Sequence, residues 1–359
     1  MATHAATRLA RTHSYAYSAR EGTKKFILTF VAVVILAGFL SPMLRVVTNA
    51  LKTPEQASAV GAPLWPARAR TFTVEGKEYE VYLVPAEQGT REWALVKKGR
   101  QESQFVDPAN PAAGPITWQG SWRALDRAWE FAPAVSNFEE VWDKLNYPRV
   151  LFNTAAIAVL SLIGVLTSCI LVAYGFARFR IPGKGFLFTL LIATIFLPGA
   201  VTLIPTYTVF VKLGWVGTWL PLIVPAFFAN AYDVFLLRQF FLTIPREMDE
   251  AAQIDGAGPL RTLISVILPQ SWPAVMAVAI FHIVYAWNDF FGPLIYLSTR
   301  PDLQPISVAL QRFNGIYGSE PHLIQAGTLM TLIIPVVIFI FFQRFLMQGV
   351  VLTGTGVEK

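Results

Sequence analysis

Polar residues set inside long apolar runs are where this sequence could do chemistry, and there are few of them. Trp287, Asn288, Asp289 and His282 share one such run, and Asp233 lies in another. A carboxylate at the centre of a bilayer costs about 3 kcal/mol on insertion scales, so such residues face a hydrated path or a polar partner. Two readings stay open for the five: they line a path across the membrane, or they hydrogen-bond packed helices or subunits. The second suits His282, a lone histidine with no carboxylate beside it in sequence. Catalysis has little support. His4, His13, His282 and His322 are far apart, no H-E-x-x-H occurs, and Gly183-Lys184 lacks the upstream glycine and following hydroxyl of a phosphate loop. Cys169 is the single cysteine, so it forms no intrachain disulfide; it is expected to be a small buried apolar residue. No catalytic residue, metal site or cofactor is assigned to this chain.

The second constellation is polar and lies between two apolar runs, from Pro245 to Pro269. Pro245 suits a first helical turn. Glu247, Asp249 and Glu250 follow where the helix dipole favours negative charge. Met248, Ala251, Ala252 and Asp255 fall on one face, and two adjacent alanines permit close approach of a partner. Gly256, Ala257 and Gly258 supply a turn, Pro259 restarts a helix, and Pro269 is expected to stop it. A patterned loop of this kind reads as a docking element for another protein, against the plainer reading of a solvated connection.

These residues are positioned by a membrane protein. Of 359 residues 54% are hydrophobic and only 14% charged, with a mean hydropathy of +0.48. Residues 26–44 carry no charge and span about 28 Å as a helix, close to a bilayer core. Five more apolar blocks follow, at about 150–177, 186–211, 216–237, 273–297 and 323–342, so six transmembrane helices are expected. The net charge of +6 does not point to nucleic acid. Basic residues concentrate before the first block, after the second and fourth, and at the end, which places both termini in the cytoplasm by the positive-inside rule. No cleavable signal is expected: the first block is long for one, and Pro42-Met-Leu-Arg45 is not a small-residue cleavage site.

The expected organisation is a flexible basic arm over 1–25, a first helix over 26–51, and an extracytoplasmic insertion over 52–145. A core over 146–349 follows, including the cytoplasmic loop 245–270, and then a cytoplasmic tail over 350–359. The insertion opens on a Pro/Ala-rich linker at 57–67. Period-two alternation at 71–74, 78–84, 92–96 and 103–106 then predicts antiparallel strands. A turn-rich break follows at 108–115, and 138–145 reads as a short amphipathic helix.

The sequence Glu250-Ala-Ala, three residues, Gly256, closed by Ile267-Leu-Pro269, resembles the signature loop of ATP-binding-cassette importer permeases. Thr202-Leu-Ile-Pro-Thr-Tyr207, Leu236-Leu-Arg-Gln-Phe-Phe241, Trp287-Asn-Asp-Phe290 and Gly292-Pro-Leu-Ile295 are similar to the carbohydrate, MalG-like branch. The resemblance covers 26–52 and 146 to the C-terminus and excludes 53–145. It implies an all-α polytopic fold of type I importer permease architecture in the inner membrane, carrying here a small β-rich insertion. It implies a sugar permease subunit paired with a MalF-like second permease, a cytoplasmic ATPase dimer holding ATP and magnesium, and an extracellular sugar-binding protein. Lipid surrounds it; nucleic acid has no part. On this resemblance Glu250, Ala251, Ala252, Asp255, Gly256, Ala257, Leu268 and Pro269 form the ATPase-coupling element. A loop bearing Asn314, Gly315, Tyr317 and Gly318 would reach the binding protein, although its glycines suit an ordinary turn equally well. A related permease for glycerol phosphate or another polar metabolite is the alternative, and an ion-coupled secondary transporter a more distant one.

Overall fold

The structure, a computed structural model, describes the backbone of residues 2–74, 76–86, 89–315 and 318–354 and the side chains of 24–74, 76–86, 89–315 and 319–343. It divides into two units, residues 1–134 and 135–359.

The first unit begins with helix α1 (Ala2–Ala50). The stretch expected as a flexible arm continues this helix, since its alanines and arginines are strong helix formers. Lys24–Ala50 is apolar on all sides, with a mean hydropathy of 2.5 and none of its most apolar window buried. Such a helix belongs in lipid. Helix α2 (Pro54–Ser58) starts on Thr53, whose hydroxyl accepts the Gln56 N–H at 3.2 Å. Eight strands follow: β1 (Ala67–Ala69), β2 (Thr71–Val74), β3 (Lys77–Ala86), β4 (Gly89–Lys97), β5 (Glu102–Val106), β6 (Ile116–Gln119), β7 (Asp126–Arg127) and β8 (Trp129–Phe131). β2 to β6 pair antiparallel in chain order, β7 adds to β3, and β1 pairs with β8. Alternation sends Tyr82, Val84, Trp93, Leu95 and Phe105 to one face and Val81 and Ala94 to the other. Phe105 and Trp118 pack edge to face at 6.3 Å.

In the second unit α3 (Ser136–Leu145) buries Val141 and Leu145. It packs against the last helix, and the two units divide before it, at 134. Asn146, at φ 50°, reverses the chain into α4 (Tyr147–Arg178). The third apolar block is not one straight rod. It forms α5 (Lys184–Ala193) and α6 (Gly199–Lys212), and the helical segments on either side of the break make a 98° bend. Leu197 and Pro198 cause it, because a residue before proline is driven to extended angles. Then come α7 (Leu220–Ile223), a 3-10 turn Val224–Phe228 and α8 (Ala231–Thr243).

Helix α9 (Glu247–Ile254) and α10 (Pro259–Thr262) form the polar loop. Pro269 does not stop the second helix. A π-helical turn, Leu263–Ile267, widens the hydrogen-bond register ahead of the missing proline N–H, and α11 (Leu268–Gln270) continues past it. The chain bends by 82° only at Ser271, entering α12 (Trp272–Asn288). Next come α13 (Phe291–Tyr296), α14 (Ile306–Ala309), a two-residue strand pair β9 (Asn314–Gly315) and β10 (Gly318–Ser319), and α15 (Pro321–Gly354). α15 thus enters the stretch expected as a tail; residues 355–359 lie outside the described residues. Among the described residues four helices are long and apolar enough to cross a membrane, or up to six if each bent pair counts as one span. The expected count of six is reached only when each bent pair is taken as one span.

Burial and a 2.7 Å hydrogen bond to Glu80 push the Tyr82 hydroxyl up to about 12. The fold therefore favours neutral Tyr82, and its contribution is complete below the unfolded value near 10 and lost as pH rises to about 12. Denaturant unfolding of the purified chain at pH 9 and pH 11.5 should show a loss of stability at the higher pH that is smaller in Tyr82→Phe. Equal losses in both proteins would contradict the assignment.

Candidate functional site

The 245–270 loop is shaped from within by its turn. α9 ends in a reciprocal C-terminal motif: Ala257 N–H donates to Ala252 O at 2.8 Å, and Gly256 N–H donates to Gln253 O at 3.0 Å. The motif needs a left-handed residue, and Gly256 supplies it at φ 78°.

Two residues one helical turn apart at the end of α4 then clasp the loop. Arg178 Nη2 donates to Ile244 O at 2.9 Å, where the loop begins, and Tyr174 Oη donates to Pro259 O at 3.2 Å, past the turn. Between them Arg178 Nε lies 3.1 Å from Asp249 Oδ2, with the side chains only 7% and 13% exposed. That contact is an ion pair rather than a directed hydrogen bond, since neither atom has a hydrogen-bond partner. A cavity of about 390 Å³ opens beside it, with Arg180, Arg246 and Glu250 on its walls.

The candidate residues divide by what they face. Glu250, Ala251, Asp255, Gly256 and Pro269 are exposed, and Ala257 is half-buried. Ala252 is buried against its own chain, and Leu268 packs on the core formed by Cys169, Leu237 and Ile267. These two shape the loop from inside, while Ala251 is on the exposed face of α9. Arg178, Tyr174 and Asp249 were missed as a set, because spacing within one helix does not reveal a contact between helices. Met248, Ile254, Leu260 and Ile264 add a group of exposed large apolar side chains, with Ile254 87% exposed. An otherwise polar loop that holds such residues out is suited to a protein partner.

Of the five polar residues expected within the membrane, Asp233 and Asp289 take part in helix caps. Asp233 is in the first turn of α8. Asn230 Oδ1 accepts the Asp233 N–H at 2.9 Å, and Asn230 Nδ2 donates to Asp233 Oδ2 at 2.6 Å. The break before α8 is braced by α4. Ser168 Oγ donates to Ala226 O at 3.0 Å and accepts the Ala229 N–H at 3.1 Å. Cys169 Sγ accepts the Asn230 N–H at 3.4 Å, a hydrogen-bonding role that apolarity alone did not foretell. Gly164 lets Phe227 approach closely, because a Cβ there would lie 2.7 Å from that ring and force a shift. Backbone polar groups freed by a broken helix must find partners inside the protein, and these residues supply them.

Asp289 lies just beyond the end of α12, not within it, and its Oδ1 accepts the Gly292 N–H at 3.2 Å. Asn288 is exposed and donates to Val284 O on its own helix; Trp287 is buried. His282 Nε2 and Ser161 Oγ are 2.8 Å apart, joining α12 to α4. His282 and Asp289 share a cavity of about 40 Å³, far below the several hundred Å³ of a small-molecule site. Within this chain the His282–Ser161 contact ties α12 to α4. Asn314 and Gly315 pair with Ser319 and Gly318 in a tight hairpin; Tyr317 lies outside the described residues.

Breaking the buried Arg178–Asp249 pair should leave one charge uncompensated. Arg178→Met or Asp249→Leu alone is expected to destabilise the chain by about 3–5 kcal/mol, with most of the loss recovered in the double variant. Thermal unfolding in detergent checks this, and additive losses in the double variant would contradict it.

The profile of the binding-protein-dependent transport system inner membrane component family matches residues 161–351, more than half of the chain. The osmoprotective compounds uptake permease protein of Synechocystis is 28% identical over 72% of this chain and 86% of its own length. The sn-glycerol-3-phosphate transport system permease protein of Agrobacterium fabrum is 34% identical over 57% of this chain and 73% of its own. A crystal structure of a bacterial ABC transporter involved in alginate import contains a chain that matches with a TM-score of 0.63. That match is 16% identical and covers 89% of this chain and 95% of the other, so it establishes the fold. A loop held out on the end of a membrane helix, in a type I importer permease fold, agrees with these relationships. The chain belongs to the family of binding-protein-dependent transport system inner membrane components, as a transport subunit of an ATP-binding-cassette importer rather than an enzyme.

Proposed function

We propose that this chain forms half of a translocation path for a sugar or a similar polar solute, and that the 245–270 loop is where a partner ATPase drives it. The observation that carries the reading is the clasp of Tyr174 and Arg178 on the loop, which leaves Glu250 and Ala251 facing outward. A helix gripped at its entry, middle and exit passes force to α4 without bending away from it. Glu250 would pair with a basic residue of the ATPase, while Ala251 permits close approach and Ile254 and Leu260 add apolar contact. ATP and magnesium are held by that partner. A second, MalF-like permease completes the path, and an external binding protein delivers the solute, with the Asn314–Ser319 hairpin as its contact.

Each bent pair counts as one crossing in this reading, which gives six spans and, with the basic residues distributed as they are, two cytoplasmic termini. Cargo is the open part. The relatives named for osmoprotective compounds and for sn-glycerol 3-phosphate support a small polar solute, and sugar is favoured by the MalG-like motifs.

Glu250→Lys is expected to leave the chain inserted and assembled while lowering uptake at least about tenfold, by placing a like charge against the partner. Gly256→Pro should do the same by abolishing the left-handed turn. Uptake by the reconstituted importer, with membrane-inserted protein measured alongside, tests both; wild-type uptake in either variant would refute the assignment. A panel of sugars and glycerol phosphate in a stimulated-ATPase assay identifies the cargo, and no stimulation by any sugar would remove the sugar reading.

A further inference from the structure

The β-rich insertion carries a concavity of about 600 Å³, within the range of small-molecule sites. It is not a gap between loose segments. One wall is the stretch after α2, expected from its proline and alanine content to be a linker. Gln56, 2% exposed, uses its whole side-chain amide to fix it. Nε2 donates to Pro63 O at 3.0 Å and Trp65 O at 2.7 Å, and Oε1 accepts the Ala67 N–H at 2.9 Å. A buried polar group satisfied in this way rigidifies the backbone around it. The Trp65 indole on this rigid stretch nevertheless remains 56% exposed. A large aromatic ring held out of the core by an ordered backbone has not simply failed to pack.

The other wall is the 122–129 segment. Trp122 packs edge to face on buried Tyr82 at 6.1 Å, and Lys98 and Arg123 lie over its ring at 5.1 and 5.3 Å. Asp126 and Arg127 are fixed by the pairing of β7 with β3. Trp129 and Glu92 complete the lining. Flat indoles therefore alternate with charged groups of both signs: Asp126 and Arg123, with Glu92 paired to Arg70 and Arg127 paired to Glu80. Balanced charge gives no preference for an anion or a cation. An apolar segment would strip water from these groups without replacing their hydrogen bonds. A sugar ring meets both demands: its C–H face lies on an indole, and its hydroxyls donate to carboxylates and accept from guanidiniums.

The geometry points to a carbohydrate-binding site in the insertion, selective for neutral oligosaccharides. It does not depend on the coupling loop, so it stands or falls apart from the proposed function. The test uses the full chain in lipid nanodiscs, titrated by calorimetry with maltotriose, cellotriose and raffinose, and with sn-glycerol 3-phosphate as the anionic comparison. At least one trisaccharide is expected to bind saturably at low millimolar concentration or below, with sn-glycerol 3-phosphate weaker. Trp65→Ala and Asp126→Asn, both at exposed positions, should each weaken that binding about tenfold while Glu250→Lys leaves it unchanged. Failure of all three trisaccharides to saturate by about 10 mM would overturn the inference. So would wild-type affinity in Trp65→Ala, or equal affinity for sn-glycerol 3-phosphate.

Discussion

A single arginine at the end of a membrane helix holds the polar 245–270 loop in place. Arg178 neutralises Asp249 where neither side chain can recruit much water, and it satisfies the carbonyl at which the polar loop begins. With Tyr174 one turn away, α4 grips the loop at three points. The same helix reaches further. Gly164, Ser168 and Cys169 brace the unwound turn ahead of α8, and Ser161 bonds His282 on α12. One element thus joins the exposed face of α9 to the unwound turn ahead of α8 and to the middle of α12. Force applied at α9 has a continuous path of packed and hydrogen-bonded groups to follow.

Much of this was legible in the sequence. Long apolar blocks marked the candidate membrane segments, because a bilayer demands length and apolarity before anything else. Period-two alternation found the longer strands of the insertion, since a half-buried sheet imposes it directly. Gly256 declared itself, because a left-handed turn after a helix has few other solutions. The bends were harder. Pro198 and Pro269 are both prolines in apolar surroundings, yet the first breaks its segment by about a right angle while the second rides inside a helix behind a π turn. The difference lies in the hydrogen-bond register upstream, which the residue types do not fix. The three-residue strands β1 and β8 gave no signal, because so short a stretch cannot display a period.

The interior contacts were the least legible. Asp249 looks like one more acid near a helix start, and Gln56 like one more polar residue in a linker. Both turn inward because a partner distant in sequence or held by the backbone fold satisfies them. Asp233 makes the same point in reverse: an acid in an apolar run invites a functional reading, and here it caps a helix with Asn230. Buried polar groups reveal their purpose through their partners.

The central claim is that α9 and the cytoplasmic end of α4 move as one body when the partner ATPase works. Spin labels at Arg180 and Ile254, both exposed, report it directly in the assembled importer. The distance between them should be the same in the nucleotide-free and ATP-bound states, within the 1–2 Å of an ordinary helix adjustment. A change of about 5 Å or more, the size of a full helical turn, would mean that the loop swings on a hinge and that the Arg178 clasp does not transmit the stroke.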